Sequence, residues 1–123
     1  MAIDAYITRA ASELRNAAGV LQDEIHELQR GVYDKQVSLK HEATDIDYQS
    51  TSLKIEEAGS NDKNRRHEAA ARREVLKRTA DEKRKEADKR GSDAASVVDA
   101  KTNLVSRLNN LASQLESLAS SAR

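Results

Sequence analysis

Apolar residues recur along the first half of the chain at alternating steps of three and four residues. One column consists of Ile7, Leu14, Leu21 and Leu28. A second column, four residues later each time, consists of Ala11, Ala18, Ile25, Val32, Leu39, Ile46 and Leu53. We label these columns d and a. A heptad kept in one frame for about 50 residues predicts a long coiled-coil helix. Position d becomes polar midway, at Lys35, Glu42, Gln49 and Glu56.

The second half of the chain has a heptad of its own, with apolar residues most frequent near the C-terminus. Its column d consists of Ala69, Leu76, Lys83, Arg90, Val97, Leu104, Leu111 and Leu118. Its column a consists of Arg73, Ala80, Ala87, Ala94, Lys101, Leu108, Leu115 and Ala122. The two frames are out of phase with each other, and the slip coincides with the segment "GSND", residues 59–62.

This segment predicts a turn between two helices. Gly59 suits a left-handed helix C-cap, and Ser60, Asn61 or Asp62 can accept hydrogen bonds from the first amides of a following helix. We therefore predict one all-α domain over residues 1–123, a long antiparallel coiled-coil helical hairpin. Arm one covers 2–58, the turn 59–62 and arm two 63–122.

In an antiparallel pair, a on one arm meets d on the other, so partners share a constant sum of residue numbers. The sum of 122 centres the turn on Asn61. The pairs it predicts are Ile46 with Leu76, Ile25 with Val97, Ala18 with Leu104, Leu14 with Leu108, and Ile7 with Leu115. Charge favours this pairing, because residues 1–60 carry 6 basic and 11 acidic residues and residues 61–123 carry 15 and 10.

Two other helical arrangements compete with the hairpin. A parallel two-stranded rod would set Glu42, Glu56, Lys83 and Arg90 against their own copies, and like charges across a seam are unfavourable. A compact four-helix bundle would break at Gly31, Gly59 and Gly91. However, loops at Gly31 and Gly91 would have no reason to preserve the heptad phase, so we interpret these glycines as a soft joint or as tolerated helix positions.

Composition supports helices more than any other class. The chain has no Pro, Trp, Phe or Cys, and charged residues make up 34%. High charge also occurs in disordered chains, but here 21 basic and 21 acidic residues cancel. No segment has the roughly 18 apolar residues that a membrane span needs, and the start "MAIDAYITRAASELR" lacks the pattern of a secretory signal. We expect a soluble, cytoplasmic protein.

No motif predicts catalysis, a metal site or a cofactor. The segment "HEATD", which begins at His41, lacks the second histidine of a zinc-protease helix, because Asp45 stands there. The carboxylates of Asp45 and Asp47 lack the glycine turn of a calcium loop. There is no phosphate-binding glycine loop and no nucleophile elbow. We therefore predict that the protein is not an enzyme and has no small-molecule substrate.

The most basic segment, residues 63–90, carries 12 basic and 6 acidic residues. It could bind the phosphates of nucleic acid or of an anionic membrane. It could equally be a solvated helix with i,i+4 ion pairs such as Glu74 with Arg78. The candidate anion or partner contacts are Arg65, Arg66, Arg72, Arg73, Lys77 and Arg78.

Apolar residues outside a and d predict self-association at the open end of the hairpin. They form column g of arm one, with Ile3, Ala10 and Ala17, and column e of arm two, with Val98, Val105, Ala112 and Ala119. A helix with such extra apolar columns touches two neighbours, as in a four-helix bundle; alternatively, the columns only add cover to the hairpin's own seam. The predicted self-association residues are Ile3, Ile7, Leu14, Leu21, Val98, Val105, Leu108, Leu111 and Leu115.

These patterns lead to one main functional hypothesis and one alternative. The main hypothesis is a non-enzymatic structural or adaptor coiled-coil protein, a homodimer that displays an extended charged surface to an unknown protein partner. The alternative is nucleic-acid or anionic-membrane binding through 63–90.

Overall fold

The computed structural model describes residues 2–122 and shows two helices packed against each other. Helix α1 spans Ala2–Gly59 and helix α2 spans Lys63–Ser121. Both sequences are rich in Ala, Leu, Glu, Lys and Arg, which are strong helix formers. The prediction of an all-α helical hairpin is confirmed. The four-helix alternative is wrong, because α1 continues through Gly31 and α2 through Gly91.

The connection between the helices is shorter than predicted. Gly59 is the last residue of α1 rather than part of the turn. It is not a left-handed cap, since no glycine among residues 2–122 has a positive φ. Side chains order the connection instead: Ser60 Oγ accepts a hydrogen bond from the Asp62 amide (3.1 Å). Asp62 Oδ1 accepts one from the Asn64 amide (2.9 Å), so Asp62 is the N-cap of α2.

The chain divides into two compact units, each made of one segment from each helix. The terminal unit comprises Met1–Gly31 and Asp93–Arg123, and the turn unit comprises Val32–Ser92. In both units, the buried residues are mostly alanines. Small side chains at a helix–helix contact allow a close approach of the two helices. Hydrophobic stabilisation therefore comes from many small contacts rather than from a large core.

In the terminal unit, α1 packs as predicted but α2 does not. Column a of α1 is buried at Ala11, Ala18 and Ile25, and its column d is half-buried. The inward-facing columns of α2 are a and e. The e residues Ala112 and Ala119 are 0% and 2% exposed, and Val98 and Val105 are half-buried.

Column d of α2 lies outside the seam of the terminal unit. The exposed fractions are 46% for Val97, 44% for Leu104, 49% for Leu111 and 56% for Leu118. The assignment of these four residues to the seam was therefore wrong. The predicted pairs Ile25 with Val97 and Ala18 with Leu104 are wrong for the same reason, because each joins a buried residue to an exposed one.

In the turn unit, the residues of α1 that face α2 likewise lie one position after column d. Column d is exposed at Lys35, Glu42, Gln49 and Glu56. The residues that follow each of them are buried or half-buried: Gln36, Ala43, Ser50 and Glu57. In α2, column a is buried at Ala80 and Ala87, and column d at Ala69. The polar residues at column d of α1 thus face solvent.

A single geometric cause explains both changes. Two turns of a straight α-helix take 7.2 residues, so each heptad rotates a column by about 20° relative to a perfect 3.5-residue repeat. Over several heptads the inward face therefore moves toward later positions. In each helix it moves from a and d in the N-terminal part to a and e in the C-terminal part. A strict heptad frame does not include this drift.

Neither helix, over residues 2–122, has a stretch apolar enough and long enough to cross a membrane.

Candidate functional site

Two cross-helix contacts identify the two sides of the seam in the terminal unit. On one side, Arg15 Nε donates to Glu116 Oε1 (2.6 Å) and Arg15 Nη2 donates to Ser113 Oγ (3.2 Å). On the other side, Lys101 Nζ donates to Glu24 Oε2 (2.9 Å). Arg15 is one residue after Leu14 of column d, and Glu24 is one residue before Ile25 of column a. These two positions lie on opposite sides of the seam. The first side of the seam is polar.

The second side, that of Glu24, is apolar. On α1, column g places Ile3, Ala10 and Ala17 there, in heptad register with Glu24. On α2, the exposed column d lies on the same side. Lys101, which contacts Glu24, belongs to column a, and around the helix axis column d lies next to column a on the side away from column e. Tyr6 and Val20 lie at the outer edge of α1 on this side. We call the set the apolar face: Ile3, Tyr6, Ala10, Ala17, Val20, Val97, Leu104, Leu111 and Leu118.

The apolar face collects the exposed large apolar side chains of the terminal unit. The most exposed are Tyr6 (72%), Ile3 (65%) and Val20 (58%). Single exposed apolar residues are ordinary on protein surfaces, whereas a contiguous set marks an interaction surface. The seven-residue spacing on α2 places four such side chains in one line. This surface can bury itself against another helical surface.

The predicted self-association residues divide between this face and the seam. Ile3 and Leu111 lie on the apolar face. The others are half-buried in the seam of the hairpin itself: Ile7, Leu14, Leu21, Val98, Val105, Leu108 and Leu115. Sequence reasoning missed Tyr6, Val20, Val97, Leu104 and Leu118 as surface residues. The available signal was that d and e of α2 are both apolar, although only one of them can complete the seam with a.

In the turn unit, charged side chains connect the two helices. Lys83 Nζ donates to Glu42 Oε2 (2.9 Å). Arg84 pairs with Asp47, and Arg73 lies 2.8 Å from Glu57. Gln36 Nε2 donates to the carbonyl oxygen of Ala87 (2.8 Å). The acidic arm and the basic arm thus attract each other through specific pairs.

These pairs neutralise part of the basic segment. Of the predicted anion contacts, Arg73 is paired with Glu57 and Arg78 lies 3.6 Å from Glu74. The other four have no carboxylate within 4.0 Å among residues 2–122: Arg65, Arg66, Arg72 and Lys77. The structure therefore does not gather the six residues into one site. It leaves the cations nearest the turn available.

The described part of the turn unit includes three open grooves. Two near the turn have volumes of about 340 and 300 Å³, and both are lined by Glu57 and Arg66. The third, of about 480 Å³, is mainly apolar and lies between Leu53 and Leu76, with Arg72 at its edge. The first two combine cations with a carboxylate. The third resembles the shallow groove between two helices that can accept another helix.

Two of the cross-helix ion pairs change the ionisation of their carboxylates. The hydrogen bond from Lys83 holds the pKa of Glu42 below its ordinary value, with the Lys83 charge as a further cause. The hydrogen bond from Arg15 likewise lowers the pKa of Glu116, and Glu116 raises the pKa of Arg15. Both carboxylates are ionised near neutral pH, so the pairs persist there.

The histidines are exposed, at positions 26, 41 and 67. Within residues 2–122, no three His, Cys, Asp or Glu side chains converge as they would around a metal ion.

When the chain was compared with protein-family models, with curated proteins and with solved structures, nothing matched.

Proposed function

We propose that the protein is a non-enzymatic structural or adaptor protein that acts through protein–protein contact. The terminal unit self-associates through the apolar face, and the turn unit offers its charged surface to a protein partner. A cytoplasmic location is part of this proposal. The observation that carries it is the line of half-exposed apolar side chains on α2, at positions 97, 104, 111 and 118. Their own hairpin does not bury them.

The energy available from this face suits reversible association. Full burial of a Val or Leu side chain contributes roughly 1.5–3 kcal/mol. The four α2 residues are each about half exposed, so burying the remainder contributes roughly 3–6 kcal/mol per copy. Two copies contribute about twice this, and the α1 residues of the face add to it. Association costs about 4–15 kcal/mol. The gain and the cost are of similar size, so we expect weak association that depends on protein concentration.

The test uses a variant that makes the apolar face charged without altering the seam. In Leu104→Glu/Leu111→Glu, both exchanged side chains are already 44–49% exposed in the hairpin, so the helices should still form. The control, Ser106→Glu/Ser120→Glu, adds the same charge at exposed positions of α2 away from the face. Molar mass is measured by sedimentation equilibrium over a wide concentration range, together with helicity by circular dichroism.

We expect the wild-type chain and the control to exceed the monomer mass as concentration rises, whereas the Leu104→Glu/Leu111→Glu variant remains monomeric and helical. Salt between about 50 and 200 mM should change the wild-type result far less than it changes phosphate binding, since the contact is mainly apolar. A monomeric wild-type chain at every concentration would contradict the proposal.

The second candidate function is binding of nucleic acid or anionic membrane through residues 63–90. The observation that favours it is that Arg65, Arg66, Arg72 and Lys77 lack carboxylate partners among residues 2–122. A duplex oligonucleotide and anionic vesicles serve as separate probes. Binding should weaken by orders of magnitude between about 50 and 200 mM salt. Absence of binding to both probes at low salt would exclude this function.

A further inference from the structure

We infer that the apolar face is occupied by a second copy of this chain in one particular arrangement. In this arrangement the two-fold axis of the dimer is parallel to the helices of the terminal unit, so α2 of one copy lies on α1 of the other. The inference rests on the proposed self-association and specifies its geometry. In the competing arrangement, the axis runs across the helices, and each helix packs on its own counterpart.

Side-chain size supports the first arrangement. The α2 half of the face carries leucines, at 104, 111 and 118, whereas column g of α1 carries the small residues Ala10 and Ala17 between the larger residues at its edge and end. The contacts of Glu24 with Lys101 (2.9 Å) and of Arg15 with Ser113 (3.2 Å) indicate which residues lie at similar heights. Counting from these two contacts, Leu111 lies between the heights of Leu14 and Ala17, and Leu118 lies between those of Ile7 and Ala10. Large side chains of one copy can therefore insert beside small side chains of the other.

Packing each helix on its own counterpart would match side-chain sizes less well. The leucines of α2 would meet leucines, and the alanines of α1 would meet alanines across a gap. Interfaces with good complementarity alternate large and small residues.

Charge at the border of the face supports the same choice. On α2, Arg107 is exposed beside Leu104 and Leu111 and has no carboxylate within 4.0 Å among residues 2–122. On α1, Glu13 and Glu27 are exposed along the outer edge. Glu13 has only a long ion pair with Arg9, at 3.9 Å. Counted from the Glu24–Lys101 and Arg15–Ser113 contacts, Arg107 lies between the heights of Glu13 and Glu27.

These charges attract each other in the first arrangement and repel each other in the competing one. Packing α2 on α1 of the other copy places Arg107 beside an acidic helix edge, twice in the symmetric dimer. Packing α2 on α2 places Arg107 beside its own copy, and α1 on α1 brings acidic edges together. Like charges across an interface disfavour the wrong arrangement.

The chain has no cysteine, so single cysteines can test the geometry. Two singly substituted chains, Ala17→Cys and Leu111→Cys, are mixed and oxidised gently. A disulfide needs Cα atoms within about 7 Å. We expect a disulfide-linked dimer that contains one chain of each kind. A second mixture, Leu104→Cys with Leu111→Cys, tests the competing arrangement and should give no such dimer.

A charge exchange gives an independent result. Arg107→Glu and Glu13→Arg should each weaken dimerisation about tenfold, and the double variant should recover most of the wild-type affinity. The matched control is Arg30→Glu with Asp23→Arg, at exposed positions away from the face, where little change is expected. Affinities are measured by sedimentation equilibrium.

The outcomes separate the geometry from the proposed function. Cross-linking of positions 104 and 111, or no recovery in the double variant of a chain that still dimerises, overturns the arrangement and leaves self-association intact. A chain that never dimerises overturns both.

Discussion

Replacing Ala112 with a larger residue tests whether column e of α2, rather than column d, lies in the seam of the terminal unit. Ala112 is 0% exposed and lies in the seam of the terminal unit. A leucine there adds three carbon atoms where no space is open. Inserting such volume into a packed contact costs typically 1–3 kcal/mol. In the strict heptad frame, position 112 instead borders the seam, and the exchange would cost less than about 0.5 kcal/mol.

The expected change in melting temperature follows from the chain length. The entropy of unfolding is about 2.1 cal/mol/K per residue, which for 123 residues gives about 0.26 kcal/mol/K. A cost of 1–3 kcal/mol therefore lowers the melting temperature of Ala112→Leu by about 4–12 °C. Thermal unfolding is followed by circular dichroism, at a concentration where sedimentation shows the monomer.

The matched control is Ala95→Leu, at an exposed position of the same helix. It should shift the melting temperature by no more than about 2 °C. An unchanged or raised melting temperature for Ala112→Leu would refute the assignment of column e to the seam. The apolar face would then lose its basis, because column d of α2 would be needed inside the hairpin.

Other predictions concern the ion pairs and glycines. Because the folded pKa values of Glu42 and Glu116 are depressed, their contribution to stability is present above the ordinary value of 4.5 and is lost as pH falls through the folded values. The urea midpoint should therefore fall as the pH drops below 4.5, and less so in Glu42→Gln/Glu116→Gln; an equal fall in both proteins would contradict this. Gly31→Ala should stabilise the chain by about 0.8–1.0 kcal/mol, since an added Cβ meets nothing within 4 Å. Gly91→Ala should gain little, because its Cβ would displace the Gln36 amide and weaken a hydrogen bond worth about 0.5–1.5 kcal/mol. Urea titrations with and without Gln36→Ala check this, and a gain at Gly91 equal to that at Gly31 would exclude the role of Gln36.

Part of the candidate site could be predicted from the sequence. Opposite net charges on residues 1–60 and 61–123 predicted attraction between the two arms, and ion pairs such as Glu42 with Lys83 connect the helices. Column g of α1 indicated apolar surface outside the seam, as the exposed Ile3 shows, whereas column e of α2 lies inside the seam. The sequence did not indicate which of the columns d and e would remain outside, because both are apolar in α2.

The sequence by itself determined two helices and the place where the chain reverses. Helix-forming residues without proline, interrupted by "GSND", leave no other site for the turn, and column a contains the apolar residues that any antiparallel pairing must bury. The tertiary structure alone decided which neighbouring column completes each seam. That choice depends on how far the helices supercoil: a helix with 3.6 residues per turn drifts by about 20° per heptad, and only close packing of the alanines fixes how much drift remains. The line of leucines on the surface of the terminal unit is the result of this drift.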